Sequence, residues 1–402
     1  MMPKRNNKHI AVLFKAEVRS FDTQYLAGCE RVFLDDAHFL NQRELLKGAY
    51  IAAQCKIVSN RNAFCMHHIP YPHTFLDMGE QLIQKIPIFK KLLHNVYKII
   101  LFFVQVWYAG MFVIKEFSTK FYYVIEVPLV GLFYPKKTTL IYHNFYANLG
   151  YIFRILYFVQ KDAHCIKYAF VSQNLLDQFL KRYPIIRQNR CYVLRNAVYP
   201  EKIDVTDKCV DKISFIFLSA WVHAKGIYLI PKIIRAVNKK YLNRVQFIIG
   251  GSVNLWSLPN GIYKKYKGVE NMINNLATAF PNVKILGPIQ HSQVPTLLQS
   301  STFCLLPSIN DEQNSLLAKE SLASGTPVIA FDVGGNREII SHNGNGYLIQ
   351  KRNVADFIQC VQKLIKNFHI NTYTSMSLRA IKDTKKYSVA KRHQELLSIL
   401  YA

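Results

Sequence analysis

Two glutamates, Glu312 and Glu320, stand eight residues apart around the predicted start of a helix. The polar loop 308–314 leads to Ser315, a residue type that caps helix N-termini, and residues 316–324 have helix-forming composition. The first N–H groups of a helix have no intrahelical partner, so this N-terminus is suited to a diphosphate. The carboxylates would then bind hydroxyl groups, Glu312 those of a group beyond the phosphates and Glu320 a vicinal diol such as ribose. Taken alone, two glutamates at this spacing are more often solvated acids on a helix surface.

The segments on either side indicate which elements must hold this loop. Short apolar runs alternate with segments of helical length, which predicts parallel strands buried between layers of helices. The runs form two series, 10–14, 122–127, 139–142 and 169–171, then 213–218, 245–249, 283–286, 303–306 and 328–331. The two series meet near residues 195–200, so the sequence predicts two doubly wound domains. Ligands of such sheets bind beyond the carboxyl ends of the strands, where the 308–314 loop lies.

The segment 307–340 carries a longer pattern around the two glutamates. Its residues are Pro307-Ser308, Glu312, Glu320, Ser324-Gly325, Thr326-Pro327-Val328, Gly334-Gly335 and Glu338. In this order they resemble the C-terminal donor-site motif of glycosyltransferase family 4, in the retaining GT-B class. The loop between Ser308 and Glu312 is one residue longer than the family pattern, which makes Asp311 a minor competitor for the first acidic role.

Two other loops resemble loops of the same family. Residues 217–226 resemble the first loop of its C-terminal domain, where an arginine and a lysine bind the donor phosphates. Here Lys225 is present, and Ala220 takes the position of the arginine. Residues 27–32 resemble the family's Gly-Gly-x-Glu-Arg loop, with alanine for the first glycine. The resemblance implies that Gly28 lets the backbone approach the phosphates or the acceptor closely.

A histidine follows one of the predicted strands of the first series, in the sequence Tyr142-His143-Asn144. The family often places a histidine that faces the transferred sugar at this point, which implies a catalytic role for His143. A lone histidine is also often structural, so both interpretations stay open.

The resemblance implies an α/β protein of the GT-B fold, with two doubly wound Rossmann-like domains facing each other across a cleft. It divides the chain into an acceptor-side domain, residues 1–198, completed by a C-terminal helix at 385–402 that crosses back, and a donor-binding domain, residues 199–384. The implied activity is retaining transfer of a sugar from a nucleotide-diphosphate sugar, with a UDP-sugar favoured, to an envelope-polysaccharide, lipopolysaccharide or lipid-linked acceptor. The implied catalytic residues are His143, Glu312 and Lys225, and the implied donor-binding residues are Gly28, Lys225, Glu312, Ser315, Leu316 and Glu320.

The sequence contains no motif that points to a metal or a cofactor. No Asp-x-Asp sequence, the metal site of many glycosyltransferases of the other main fold class, occurs in the chain. The eight cysteines form no CxxC pair, so no zinc site is indicated. We therefore expect metal-independent chemistry without a cofactor, in which Lys225 and the N–H groups near Ser315 and Leu316 stabilise the departing diphosphate.

The charge and one apolar stretch bear on the partners of the protein. With 51 Lys+Arg against 25 Asp+Glu, the formal net charge is +26, which favours nucleotide phosphates, nucleic acid or an acidic membrane surface. Residues 99–114 are almost wholly apolar but too short to span a bilayer. They predict either a helix lying in the membrane interface or an ordinary buried helix. We expect a cytoplasmic protein, peripheral on the inner face of the membrane.

Two functions of other classes stay open. Ala220 favours a catalytically degenerate GT-B protein that is the partner of an active transferase. The basic charge favours a nucleic-acid-binding protein, although the sequence has no recognisable nucleic-acid-binding motif.

Overall fold

The computed structural model describes most of the 402 residues of the chain. The described residues are 10–15, 28–53, 66–70, 103–104, 106–107, 109–114, 121–125, 130–131, 133–143, 164–198, 212–253, 268–350 and 353–402. In them, thirteen strands form two parallel sheets, one of seven strands and one of six.

The first sheet has the strand order β3-β2-β1-β4-β5-β6-β7, and every pairing in it is parallel. Its strands are β1 (Ile10–Lys15), β2 (Leu46–Ala53), β3 (Met66–Pro70), β4 (Phe121–Ile125), β5 (Thr138–Tyr142), β6 (Lys167–Phe170) and β7 (Cys191–Val193). All residues of β5 and β6 are buried, as expected for inner strands of a parallel sheet covered on both faces.

The second sheet has the order β10-β9-β8-β11-β12-β13 and is also wholly parallel. Its strands are β8 (Ile213–Leu218), β9 (Val245–Gly250), β10 (Val283–Gly287), β11 (Phe303–Leu306), β12 (Val328–Phe331) and β13 (Gly346–Ile349). In both sheets the strand order reverses beside the first strand of the series, which creates the crevice where ligands of such sheets bind.

In the described part of the chain, ten α-helices have defined bounds. They are α1 (Gly28–Gln42), α2 (Gln173–Arg182), α3 (Ile230–Tyr241), α4 (Val269–Ala279), α5 (Val294–Gln299), α6 (Leu316–Ala323), α7 (Asn336–Ile339), α8 (Val354–Lys366), α9 (Ile370–Thr384) and α10 (Val389–Tyr401). Four of them begin at a side chain that accepts a hydrogen bond from the first turn, namely Ser172, Ser315, Asn353 and Ser388. The described residues between 103 and 114 are helical as well.

The second sheet is packed on both faces because successive side chains of a strand point to opposite sides. Phe215 and Phe217 lie in one core with apolar residues of α3, α4 and α8. Ile216 and Leu218 lie in a second core with residues of α5, α6 and α9. This three-layer arrangement is the doubly wound domain that the alternating sequence pattern predicts.

The last helix, α10, leaves the second sheet and packs on the first. Leu396, Ile399 and Leu400 of α10 join the core formed by β1 and α1. The expected C-terminal helix that crosses back to the N-terminal sheet is therefore confirmed. The expected domain boundary at 198/199 stays a prediction, since residues 199–211 lie outside the described part of the chain.

Several predicted elements need correction in detail. Strands β2, β3, β7 and β13 are absent from the predicted series. Residues 28–32, which resemble a loop of the family, are instead the first residues of α1. Among the described residues, no helix has the length and apolar character needed to cross a bilayer.

Candidate functional site

The loop between β11 and α6 lies at the carboxyl end of the second sheet. Ser315 is the N-cap of α6, and its hydroxyl accepts a hydrogen bond from the N–H of Ala318 at 3.2 Å. Leu316 is the first residue of the helix. The predicted helix start is therefore confirmed, and it presents its first N–H groups at the edge where ligands of parallel sheets bind.

Glu312 lies before this helix start and is held by two side chains. Its Oε1 accepts hydrogen bonds from Lys225 Nζ at 2.5 Å and from Ser308 Oγ at 2.7 Å. Lys225 ends a 3₁₀ turn after β8, and Gly226 follows it with φ at 77°. A Cβ on Gly226 would lie 2.0 Å from the carbonyl oxygen of Pro307, so only glycine lets the two loops come this close. The structure thus brings Lys225 and Glu312 together.

The backbone of Glu312 rests on the glycine pair after β12. The N–H of Gly335 donates to the carbonyl oxygen of Glu312 at 2.7 Å. A Cβ on Gly334 would lie 2.5 Å from the same oxygen, and one on Gly335 would lie 2.2 Å from the carbonyl oxygen of Gln313. Because neither glycine has a Cβ, the segment after β12 lies directly against the backbone of the Glu312 loop.

Glu320, in the middle of α6, has partners from both sheets. Its Oε1 accepts from Arg31 Nη2 at 2.5 Å and from His291 Nε2 at 3.0 Å. Arg31 belongs to α1, next to the first sheet, and His291 to a turn before α5. Burial alone would raise the pKa of Glu320, but Arg31 and the hydrogen bond from His291 outweigh burial and hold that pKa below its usual value. The carboxylate is therefore ionised at neutral pH.

His143 lies at the end of β5 and is almost fully buried, with 5% of its surface exposed. Desolvation, followed by the charge of Arg392, lowers its pKa to about 3, so the ring is neutral at physiological pH. In the described part of the chain, its Nε2 has no hydrogen-bond partner. The hydrogen bonds described above for Glu312, Glu320 and Lys225 do not involve His143, and its catalytic role stays a prediction.

Gly28 is the first residue of α1, the helix that carries Arg31 one turn later. Residues 28–32 of the matched segment therefore lie near Glu320 of the second domain, through the contact of Arg31 with its carboxylate. The phosphate or acceptor contact expected of Gly28 stays a prediction.

Glu338, which belongs to the sequence pattern but not to the expected donor residues, links the two sheets. Its carboxylate accepts from the N–H groups of Gln173 at 3.1 Å and Asn174 at 2.8 Å, in the first turn of α2. It also pairs with Arg195 at 3.3 Å. A carboxylate at a helix N-terminus interacts favourably with the helix dipole, so Glu338 stabilises the contact between the two halves.

A buried lysine of α6 joins the 308–314 loop to the segment between the two sheets. Lys319 Nζ donates to the carbonyl oxygen of Asn196 at 2.6 Å and to the side-chain oxygen of Asn314, and it lies 4.1 Å from the centre of the Tyr387 ring. Desolvation and the nearby cations Arg392 and Arg195 lower its pKa well below the usual value.

Sequence reasoning missed the partners of Glu320. Arg31 is the last residue of the matched Gly-x-Glu-Arg sequence, but no sequence pattern connects it to Glu320, which lies 289 positions away. His291 carries no sequence signal of this kind.

A cavity of about 260 Å³ lies beside the connection between the two sheets, and neither Glu312 nor Glu320 lines it. Its lining includes Arg195, Glu338, Tyr387 and Arg392. Among the described residues, no group of three or more His, Cys, Asp or Glu side chains is placed to hold a metal ion. The expected metal independence stays a prediction.

Comparison with known proteins gives a family match for the second half of the chain. Residues 199–383, the second sheet and its helices, match the family model of glycosyl transferases group 1. An uncharacterized glycosyltransferase of Methanocaldococcus jannaschii is 28% identical over 197 residues, which cover 48% of this chain and 47% of that protein. The chain spans about half the length of the curated relatives it matches.

Solved structures match over nearly the whole chain. A glycosyltransferase from Rickettsia africae has a TM-score of 0.71 at 15% identity, covering 98% of both chains. Anabaena HepE in complex with UDP has a TM-score of 0.68 at 15% identity, covering 98% of this chain and 99% of that one. These likenesses show the fold, and the chain accordingly has the two-domain GT-B architecture.

Proposed function

We propose that this chain, whose residues 199–383 belong to the glycosyl transferases group 1 family, transfers a sugar from a nucleotide-diphosphate sugar. One observation carries the proposal: Lys225 and Glu312 meet beside the N-terminus of α6, whose Glu320 lies on the cleft side. A cation, free helical N–H groups and two carboxylates are the groups that a diphosphate and the hydroxyls on either side of it require.

In the proposed reaction, negative charge builds on the β-phosphate as the bond to the sugar breaks. Lys225 and the N–H groups near Ser315 and Leu316 stabilise that charge. Glu312 binds hydroxyls of the transferred sugar, and Glu320 binds the ribose. The transfer is retaining, in line with the resemblance to family 4, and needs neither a metal nor a cofactor.

UDP is the nucleotide we favour. Anabaena HepE, which shares the fold, was solved in complex with UDP-glucose, with UDP and glucose, and with UDP alone. His143 and Gly28 complete the proposed site, His143 facing the sugar as a neutral ring and Gly28 close to the phosphates or the acceptor.

The test is a thermal-shift and hydrolysis screen against UDP-, GDP- and ADP-sugars, with and without EDTA, beside the Glu320→Ala variant. Stabilisation by one nucleotide sugar that is insensitive to EDTA and lost in the variant supports the donor site and identifies the donor. If no nucleotide sugar stabilises the protein, the chain is a degenerate partner, with Ala220 as the reason.

For the acceptor, we propose an envelope-polysaccharide, lipopolysaccharide or lipid-linked saccharide, reached at the anionic cytoplasmic face of a membrane. The helical residues between 103 and 114 support this. Phe103, Trp107 and Ile114 are 63%, 52% and 72% exposed, whereas the opposite side of the same segment, Phe112 and Val113, is buried. Such a helix is apolar on both sides, and its outer side suits a membrane interface.

Phe133 extends this apolar surface, because a Cβ on Gly110 would lie 3.5 Å from its ring and the ring is 38% exposed. Two lysines, Lys136 and Lys137, follow it closely in the sequence. Aromatic side chains beside lysines are typical of binding to anionic lipid.

Vesicle flotation tests this surface. We expect the wild type to float with vesicles rich in phosphatidylglycerol and not with pure phosphatidylcholine, and Trp107→Glu to abolish flotation. Leu378→Glu, which changes an equally exposed leucine on α9, is the matched control and should float like the wild type. Equal flotation of the Trp107 and Leu378 variants would contradict the membrane proposal.

A further inference from the structure

We propose that Arg31 is a positioning residue for Glu320, which it holds from the opposite domain together with His291. The ribose contact of Glu320 then depends on α1 lying against the donor domain. This inference rests on the proposed donor function and adds to it a residue of the acceptor-side half.

The hydrogen bonds of Glu320 are unevenly divided between its two oxygens. Oε1 receives both Arg31 Nη2 at 2.5 Å and His291 Nε2 at 3.0 Å. In the described part of the chain, Oε2 has no hydrogen-bond partner. A carboxylate oxygen accepts more than one hydrogen bond, so Oε2 is left to accept from a ligand hydroxyl.

Holding one oxygen fixes the direction of the other. A glutamate side chain has three rotatable bonds, and a ligand that must order it loses affinity. Arg31 and Glu320 are both largely buried, with 19% and 15% of their side chains exposed, so their ion pair is screened little by solvent. The carboxylate is thus oriented before a ligand arrives.

The charge of Arg31 has a second consequence at this site. A lone carboxylate one turn from a diphosphate site would repel the phosphates. The positive charge of the guanidinium offsets the negative charge of the ionised Glu320 carboxylate, while Oε2 keeps its capacity to accept hydrogen bonds. Because Ala220 stands where the family pattern has an arginine, this site has one cation fewer, and the charge of Arg31 is the more important.

The position of Arg31 links donor binding to the arrangement of the two domains. Phe33, Ala37 and Leu40 of α1 are part of the core of the first sheet, so Arg31 moves with that domain. Glu320 moves with the second, since Ala318 and Leu322 of α6 are part of its core. The ion pair forms only when the domains are placed as they are here.

Calorimetric titration with UDP and with 2′,3′-dideoxy-UDP tests the inference. We expect Arg31→Ala to weaken UDP binding about tenfold, as loss of a charge-assisted hydrogen bond in a network does. Binding of dideoxy-UDP, which has no hydroxyls for Glu320, should stay unchanged. In a Glu320→Ala background, Arg31→Ala should have no further effect. Arg43→Ala, at an exposed arginine just beyond α1, is the matched control.

Several outcomes would overturn the inference while leaving the proposed function intact. Tighter UDP binding by Arg31→Ala would mean that Arg31 competes with the ribose. Equal weakening of UDP and dideoxy-UDP would mean that it acts on the phosphates. Arg31→Lys keeps the charge without the guanidinium fork and serves as a second variant. The thermal midpoint recorded for each variant shows whether a loss of UDP affinity is due to unfolding. A wild type that binds neither nucleotide overturns the UDP form of the proposed function, and the inference with it.

Discussion

The two glutamates of the candidate site obtain their cations in different ways. Glu312 pairs with Lys225, which the loop after β8 places in the same domain. Glu320 pairs with Arg31, which comes from the other domain. The first pair is therefore fixed by the fold of one domain, and the second depends on how two domains meet.

A first prediction concerns Lys225. Replacement by methionine removes the cation nearest the proposed β-phosphate site while keeping the apolar stem. We expect kcat for sugar transfer to fall about 10²- to 10³-fold, the usual cost of one stabilising donor in a transition state. Steady-state rates of nucleoside-diphosphate release measure this. Lys232→Met, at an exposed lysine of α3, is the control, and equal rates in the two variants would exclude Lys225 from the chemistry.

A second prediction uses the buried, neutral ring of His143. Its pKa of about 3 lies below the 6.5 of an unfolded histidine, so the unfolded chain takes up a proton that the folded chain does not. Stability attributable to this group is therefore complete above pH 6.5 and decreases as the pH falls towards 3. Between pH 7 and pH 5 the loss is about 2 kcal/mol.

Urea unfolding at the two pH values measures the effect of His143. We expect His143→Gln to lose about 2 kcal/mol less than the wild type on acidification. His369→Gln, at an exposed histidine before α9, is the matched control for the removal of a histidine. A His143 variant with an unchanged pH dependence would show that the ring is protonated in the folded protein.

At the residue level, the sequence predicts the start of α6 correctly, because a strand end, the cap Ser315 and a helix-forming composition follow one another within a few residues. The roles expected of Ser315, Leu316 and Glu312 stay predictions. Arg31 and His291 are not found because their contact with Glu320 depends on the tertiary arrangement, which sequence spacing does not carry.

At the scale of elements, the glycine pair after β12 positions the Glu312 loop. Gly334 has φ at 54° and lies against the backbone of Glu312, and Gly335 donates to the carbonyl oxygen of the same residue. The sequence therefore has two glycines between β12 and Glu338 because the Glu312 loop packs against them.

A third prediction follows for Gly334→Ala. The added Cβ would lie 2.5 Å from the carbonyl oxygen of Glu312, so the loop must shift, and we expect donor binding to weaken at least about tenfold. Gly268→Ala is the matched control, since Gly268 also has a positive φ, 92°, but no atom lies within 4 Å of the Cβ that alanine would add there. Calorimetric measurement of donor binding to both variants separates the effect of the steric clash at Gly334 from that of backbone strain alone. Equal binding by the two would contradict a positioning role for Gly334.

The strands show where element prediction fails. The five predicted strands of the second series match β8 to β12 because apolar residues dominate each of them, with at most one polar residue inside. β2 was missed because Lys47 and Gly48 interrupt its apolar residues, and β13 because its four residues follow an Asn- and Gly-rich turn. Short strands of this kind are specified by the neighbours they pair with rather than by their own composition.

At the scale of the whole molecule, two further contacts join the halves. Glu338 caps α2 from the second domain. α10 returns to the first domain, where Arg392 forms two hydrogen bonds with Asp36, at 2.6 and 3.0 Å, deep in the interior. Burial alone would lower the pKa of Arg392, but Asp36 outweighs burial and raises it, so the arginine stays charged.

The Arg392–Asp36 pair leads to the last prediction. Arg392 also donates to the carbonyl oxygens of Leu194 and Arg195, and Tyr123 donates to Asp36, so removal of the arginine leaves a buried carboxylate with one partner fewer. We expect Arg392→Leu to lower the free energy of unfolding by about 3–5 kcal/mol, the cost of breaking a buried ion pair. The double variant Asp36→Leu/Arg392→Leu should lose less, because no uncompensated charge remains.

Denaturant unfolding of the two variants beside Arg379→Leu measures this difference. Arg379 forms an exposed pair with Asp383 on α9, and exposed pairs contribute about 0–1 kcal/mol. If Arg392→Leu and Arg379→Leu had equal stability, α10 would be held by its apolar face alone. If the double variant were less stable than Arg392→Leu, the ion pair itself would contribute net stability to the packing of α10 on the N-terminal domain.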